Sequence, residues 1–551
     1  MPAGFFVIPI AYGSEFEAED ASETLPAVGG DLDGPARRSA RDPAKVQEAR
    51  QERSSQRPRE MVDPPSLSYH RPRRGPGPAN VSSLLFPAPG ETVIARTENG
   101  RLAAFPPDPI AAVTFPNPYP FYAHLVAEAP LYRDDALGLW VASSAAAVTA
   151  ALTRDDLCRV RPAAEPVPRA LQGSPAGEVF GRLVRMTDGR DRCPLKQAVS
   201  AALASVAGPA AARESHRQAQ ALAVEIGPGA NPGAVSSFAF DLPAYVVLSL
   251  LGVPAELLAE AAEWAGAFAQ CLAPAASPGQ IEEGKMAAGQ LLFLLRSLLG
   301  ASEADQGLLA TLSREARRFG RDDPDTVVAN AVGFLFQAYE ATAGLIGNSL
   351  LAIATQPGIR EQAGAGGLLS VVQEVQRFDP SIQNTRRFLA GPGRIAGREM
   401  QEGDVILVVV AAANRDPAAN PHPDRFDPAR KDRRTFTFGA GPHACPGEAL
   451  ATTIAAVGVE QLLRSGVDPE RLAETVTYRR SANIRIPLFG KEELREQLVH
   501  RGVGTAGLHS DLLRIGEPEL PEQLDGRRIG RRHQRDDLGE LQRALAEVHD
   551  G

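Results

Sequence analysis

One segment, "DPDTVVANAVGFLFQAYEATAGLIGNSLLAIATQPG", carries a single charged side chain, Glu340, between Asp325 and Arg360. With Asp325 as N-cap and Pro357 as the stop, it reads as a helix of about 30 residues, about 45 Å long at the usual rise. A helix that is apolar on every face belongs in the interior. Its length would also span a bilayer, but Asn330, Gln337, Glu340 and Asn348 interrupt it and basic flanks are missing. A chain of 551 residues is large enough to bury it. Glu340 is then costly unless paired or wetted. It is either the structural partner of a distant arginine or a group that handles protons.

The rest of the chain is helix-rich. "FPNPYPFYAHLVAEAPLYRDDALGLWVASSAAAVTAAL" reads as helix, strand pair, helix, and "DLPAYVVLSLLGVPAELLAEAAEWAGAFAQCL" as two helices parted near Gly252 and Pro254. A further helix fits "GKMAAGQLLFLLRSLLG", and short strands fit "GDVILVVVAAA" and "SANIRIPLF". The fold class expected is mainly α with small β-sheets, over residues 105–489. Residues 1–104, rich in Pro, Gly, Arg and Ser, lack apolar periodicity and read as a disordered N-terminal extension. Residues 490–551 form a charged, helix-prone C-terminal tail with no role readable.

A net charge of -9 points away from nucleic acid as a partner. Cys158, Cys193, Cys271 and Cys445 are too widely spaced for a disulfide framework or a four-thiolate cluster. They fit a reducing, cytoplasmic location. The opening "MPAGFFVIPIAYGSEF" is too short to span a bilayer and has no basic start, so no membrane association is expected.

Cys445 lies in "FTFGAGPHACPGEALA", residues 436–451, a glycine-rich loop that leads into a helical pattern. A dinucleotide site has this order of strand, glycines and helix, but no second strand with an acid follows. Zinc would use His443 and Cys445, but two further ligands at useful spacing are missing. The third reading is a thiolate at a helix N-terminus, where free N–H groups and the dipole lower a thiol pKa. Such a loop suits a flat ligand pressed against the backbone, of which heme iron is one example.

"FGAGPHACPG" resembles the heme-binding loop of the cytochrome P450 family, F-G-x-G-x-H-x-C-x-G, and matches it at Phe438, Gly439, Gly441, His443, Cys445 and Gly447. "EVQR" is similar to the family's E-x-x-R pair, as Glu374 and Arg377, and "NRDPAANPHPDRFDPAR" to its meander, with Arg425 expected as third member of that structural network. The resemblance runs from about Phe115 to Phe489 and implies the cytochrome P450 fold. It implies heme b (iron protoporphyrin IX) as cofactor, with Cys445 as the metal ligand. His443 and Arg387 match propionate-binding positions. In "MTDGRDRCPLKQAV", Arg192 and Lys196 stand where the family has D-P-P-x-H-x-x-x-R, and both remain cationic.

"QAYEATAGLIGN" resembles the distal motif [AG]-G-x-[DE]-T, with Glu340 as the acid. The usual threonine is Ala341, and Thr342 stands about 100° further round the helix. Alanine cannot donate to a proton relay, which leaves a water, a substrate hydroxyl, Thr342 or peroxide use as alternatives. Pro446 has no N–H to offer the sulfur. The activity implied is a heme-thiolate monooxygenase (an oxidoreductase) that inserts one oxygen atom from dioxygen into a small organic substrate. Its electron donors would be separate proteins, a ferredoxin and ferredoxin reductase or equivalents. The alternatives are a peroxide-using or oxidative-coupling enzyme and a non-catalytic heme-binding protein.

Overall fold

The apolar segment forms one 32-residue helix, Pro324–Thr355. Asp323, rather than Asp325, is its N-cap and accepts from the Asp325 N–H. Pro324 fills the first turn, where no N–H is needed, and Asp325 adds a negative charge there. The helix stops at Thr355, two residues before Pro357. The computed structural model that shows this describes residues 93–96, 102–189, 192–229, 231–273, 276–301 and 307–490. The remainder of the N-terminal extension and the tail from 491 lie outside the described residues.

Helices Pro232–Leu251, Leu258–Cys271, Pro278–Ala301, Leu368–Phe378 and Glu448–Arg464 pack against the long helix. The first two part at Gly252, in the left-handed conformation, and Pro254, as the sequence predicts. The third begins at Pro278, earlier than the apolar pattern indicates. Among the described residues one helix, Pro232–Leu251, is long and apolar enough to cross a membrane, and 67% of that window is buried within the fold.

A mixed sheet joins β1 (Leu131–Asp134), β2 (Leu139–Ala142), β3 (Cys158–Arg159), β4 (Thr385–Leu389) and β5 (Val405–Val408) in the order β1-β2-β5-β4-β3. Only β2 and β5 run parallel. The run "GDVILVVVAAA" is not one strand: pairing ends at Val408 and Val410–Asn414 turn into helix, where the alanines favour it. The strand expected in "SANIRIPLF" shrinks to Pro487–Leu488, paired with Thr477–Tyr478, plus one bridge from Ile484 to Ile382. Within the stretch expected to lack order, Val93–Arg96 and Leu102–Phe105 form an antiparallel pair.

The 477–488 hairpin crosses the long helix where the helix lacks side chains. A Cβ at Gly344 would lie 2.7 Å from the Arg485 carbonyl oxygen and 2.8 Å from Ser381 Cβ, and one at Gly347 would lie 3.0 Å from Pro487. Gly344→Ala is therefore expected to destabilise by about 1–3 kcal/mol through overpacking, read as a lower denaturant midpoint at unchanged slope. A variant as stable as the parent would mean that the hairpin yields freely at this crossing.

Candidate functional site

The cysteine loop is held through its backbone. The Cys445 N–H donates to the Phe438 carbonyl at 2.7 Å. Gly439 and Gly441 take φ of 72° and 65°, the left-handed region, and a Cβ on Gly441 would press on the Leu152 carbonyl at 3.2 Å. Gly447 has φ -91°, so conformation does not demand glycine there. Proximity to the sulfur is what distinguishes it: a Cβ would sit 3.7 Å from Cys445 Sγ. The Gly447 N–H, at the start of helix Glu448–Arg464, donates to Sγ at 3.4 Å. Pro446 contributes none.

Cys445 is solvent-accessible, yet burial is the leading influence on its thiol and pushes its pKa up. The Gly447 N–H, Lys196 and Arg185 pull the other way without prevailing. The N–H at the helix N-terminus does lower this pKa, as the sequence reading expects, but desolvation outweighs that one long N–H···S contact. Accessibility together with strong desolvation places the sulfur on an interior space. Arg185 shares this character: it is exposed, desolvation lowers its pKa, and Cys445 is the group that opposes the shift.

Cations gather around this space with few anions to match. Arg387 is 6% exposed and donates to the Arg386 carbonyl at 2.8 Å, with no salt bridge among the described residues. Arg192 is 5% exposed; its Nε and Nη1 have no partner among the described residues, and Nη2 lies 3.5 Å from Asp155. Lys196 Nζ donates to the Ala444 carbonyl at 2.5 Å, beside the cysteine. His443 Nε2 lies 3.3 Å from Asp188, which also accepts the Val160 N–H at 3.1 Å. Buried guanidinium and ammonium groups without anions are costly. A group with a cationic centre for the sulfur and carboxylates at its rim would relieve both problems at once. The residues present therefore fit an iron porphyrin with two propionates. Arg185 escaped the sequence reading, since nothing local in "GRLVRMTDG" marks it.

Behind the loop, Glu374 and Arg377 meet at 2.6 Å, both fully buried. Arg425 joins only through its backbone carbonyl, which accepts from Arg377 Nη2 at 3.0 Å; its own guanidinium is 73% exposed and faces Asp427. The third side chain is instead Arg433, whose Nε lies 2.8 Å from Glu374. The motif places the chain segment correctly, and folding brings the later arginine of "ARKDRR" onto the carboxylate.

The long helix is buried over 327–333 and 342–353, but Phe334, Phe336, Gln337, Ala338, Glu340 and Ala341 keep partial exposure. That window lies between two closed ends, Gly333 against Leu183 and Gly344 against the hairpin. Glu340 is paired: its Oε1 lies 2.9 Å from Nη1 of Arg479, which the sequence reading did not single out. Burial raises the Glu340 pKa and Arg479 opposes the rise. Thr342 is 1% exposed and its hydroxyl has no partner, so it is turned away from the window that carries Glu340 and Ala341.

The family model described as "Cytochrome P450" matches residues 368–465, the stretch that holds Glu374, Arg377 and the cysteine loop. Over that stretch the chain is similar to the cytochrome P450 family. The biotin biosynthesis cytochrome P450 of Bacillus subtilis is 27% identical over 268 residues, 48% of this chain and 65% of the relative. The vitamin D(3) 25-hydroxylase of Pseudonocardia autotrophica is 33% identical over 259 residues, 45% of this chain and 62% of the relative. The chain thus spans somewhat under two thirds of the length of these curated relatives. Among solved structures, CalO2 superposes with a TM-score of 0.58 at 26% identity, over 68% of this chain and 94% of that one. The helical body with small sheets is accordingly the cytochrome P450 fold. The similarity implies heme, and the cysteine and cations described above are the groups of this chain that suit it.

Proposed function

We propose that this chain is a heme-thiolate monooxygenase of the cytoplasm, which inserts one oxygen atom from dioxygen into an organic substrate. Its electrons come from a ferredoxin and ferredoxin reductase or equivalent donors. The observation that carries this reading is the accessible Cys445 facing an interior space ringed by underpaired cations. A relative named as a hydroxylase supports it. Heme b, when bound, supplies dioxygen activation, and a thiolate ligand favours O–O cleavage. The remaining work belongs to the chain. Cys445 binds the metal, while Phe438, Gly439, Gly441 and Gly447 shape the loop against the flat ligand. Arg387, Arg192, Lys196 and His443 hold the carboxylate rim. Glu340 handles protons at Oε1, the atom that Arg479 holds. Thr342, with its hydroxyl buried, contributes little to that path.

Ala341 favours a second reading, a peroxide-using or oxidative-coupling enzyme, because it puts a methyl group in the window where a hydroxyl would assist proton delivery. Restoring the hydroxyl separates the two. On the monooxygenase reading, Ala341→Thr raises product formed per reductant consumed severalfold with dioxygen and leaves peroxide-driven turnover nearly unchanged. Product from peroxide alone, in parent and variant alike, would establish the second reading.

A further inference from the structure

The long helix meets the C-terminal hairpin at a polar contact: the guanidinium of Arg479 lies 2.9 Å from Glu340, Nη1 to Oε1. Glu340 is the one carboxylate that it pairs with among the described residues, and the arginine side chain remains 26% exposed. Its carbon lies 5.4 Å from the centroid of the Phe240 ring. The mounting is rigid. The Arg479 N–H donates to the Ile486 carbonyl at 3.0 Å, the adjoining pair Tyr478 and Pro487 is in register, and the hairpin is seated on Gly344 and Gly347. Around the window most side chains are apolar, Phe240, Phe334, Phe336, Ala338 and Ala341, and the Gln337 amide donates back to the Gly333 carbonyl. Phe336 lies one turn before Glu340 on the same face, braced edge-on by Phe268 at 5.1 Å, and Phe240 stacks near Tyr339 at 5.2 Å.

A fixed guanidinium with an open edge, set in an apolar wall, is a receptor for an oxyanion on an apolar body. Arginine can serve two carboxylates at once, since its planar fork offers donors on two edges. Glu340 occupies one edge and leaves the other. We propose that Arg479 is the recognition point for a carboxylate on the substrate, which binds the free edge of the guanidinium beside Glu340. The proposal deepens the monooxygenase reading and rests on it for the identity of the chamber. It makes the substrate an aliphatic or aromatic acid rather than a neutral molecule. It also gives Glu340 a second role, since its negative charge opposes a second anion on the same arginine. The two residues must therefore affect acid binding in opposite directions, while a neutral analogue of the same shape senses neither charge.

The test is calorimetric titration of the heme-loaded full chain with dodecanoate and with dodecan-1-ol, in the parent, Arg479→Gln, Arg479→Lys and Glu340→Gln. Arg479→Gln is expected to weaken dodecanoate by about tenfold or more, the worth of a charge-assisted hydrogen bond, and to leave the alcohol within about twofold. Arg479→Lys keeps the charge without the fork and recovers part of the loss. Glu340→Gln is expected to tighten dodecanoate by about tenfold, with the alcohol again unmoved. Equal losses for acid and alcohol in Arg479→Gln would overturn the proposal, because they would mean that the arginine only shapes the chamber. So would the absence of any preference for the acid in both the parent and Glu340→Gln. Heme content is read separately from absorbance: a protein that binds no heme overturns the monooxygenase reading, whereas calorimetry reports on Arg479 in either case.

Discussion

Cys445→Ser is expected to abolish the strongly red-shifted Soret band that the reduced, carbon monoxide-treated parent shows. The substitution changes one atom and removes the thiol that faces Arg185 and Lys196. It leaves the loop intact, because Cys445 is held through its N–H on the Phe438 carbonyl, and a serine oxygen can still accept from the Gly447 N–H that meets the sulfur. Loss of the band therefore reports ligation and not unfolding, which an unchanged denaturant midpoint would verify. The effect should be complete. Burial raises the pKa of the thiol and a bound cation would lower it, whereas a serine hydroxyl ionises far less readily. A variant that kept the red-shifted band would remove Cys445 from the role. A parent with the spectrum of a histidine-bound heme would remove the thiolate, and with it the case for oxygen activation.

Much of this site is legible in the sequence because its constraints are local. Gly439 and Gly441 sit at positive φ, so the backbone itself demands glycine at fixed offsets from Cys445. The long helix is equally plain, since thirty apolar residues have nowhere to go but the core. What escapes is what depends on distant partners. Arg425 and Arg433 are both arginines in one polar stretch, and only the folded chain decides which one reaches Glu374. Arg479 follows Glu340 by more than a hundred residues, and its meeting with that acid is set by the missing side chains at Gly344 and Gly347. The net direction of the thiol pKa escapes for a related reason. The helix N-terminus is visible in sequence, whereas the desolvation that outweighs it comes from the surrounding fold.

The same dependence makes Glu374 the residue whose loss should cost the most stability. Its Oε1 accepts from Arg377 Nη2 at 2.6 Å and Nε at 3.0 Å, and from the Asp427 N–H at 3.1 Å. Its Oε2 accepts from Arg433 at 2.8 Å, and Arg430 lies 3.6 Å away. One fully buried carboxylate thus answers three guanidiniums whose side chains are 0%, 7% and 15% exposed. Glu374→Gln keeps the shape and removes the charge, which leaves those cations confined without an anion. Breaking a buried pair in this way costs about 3–5 kcal/mol, a large part of the 5–15 kcal/mol that holds a typical domain together. Arg425→Ala, on an exposed side chain, is expected to stay within about 0.5 kcal/mol. The damage should also reach the cysteine loop. Arg377 fastens the carbonyls of Pro423 and Arg425, and Asn414, whose carbonyl Arg377 also approaches, accepts the Phe436 N–H at 2.7 Å, two residues before Phe438. Denaturant unfolding of the two variants, with the rate of heme loss to an acceptor protein followed alongside, reads both consequences. Faster heme loss in Glu374→Gln with Arg425→Ala unchanged is the result expected. Equal behaviour of the two would mean that the charge on Glu374 does not brace the loop.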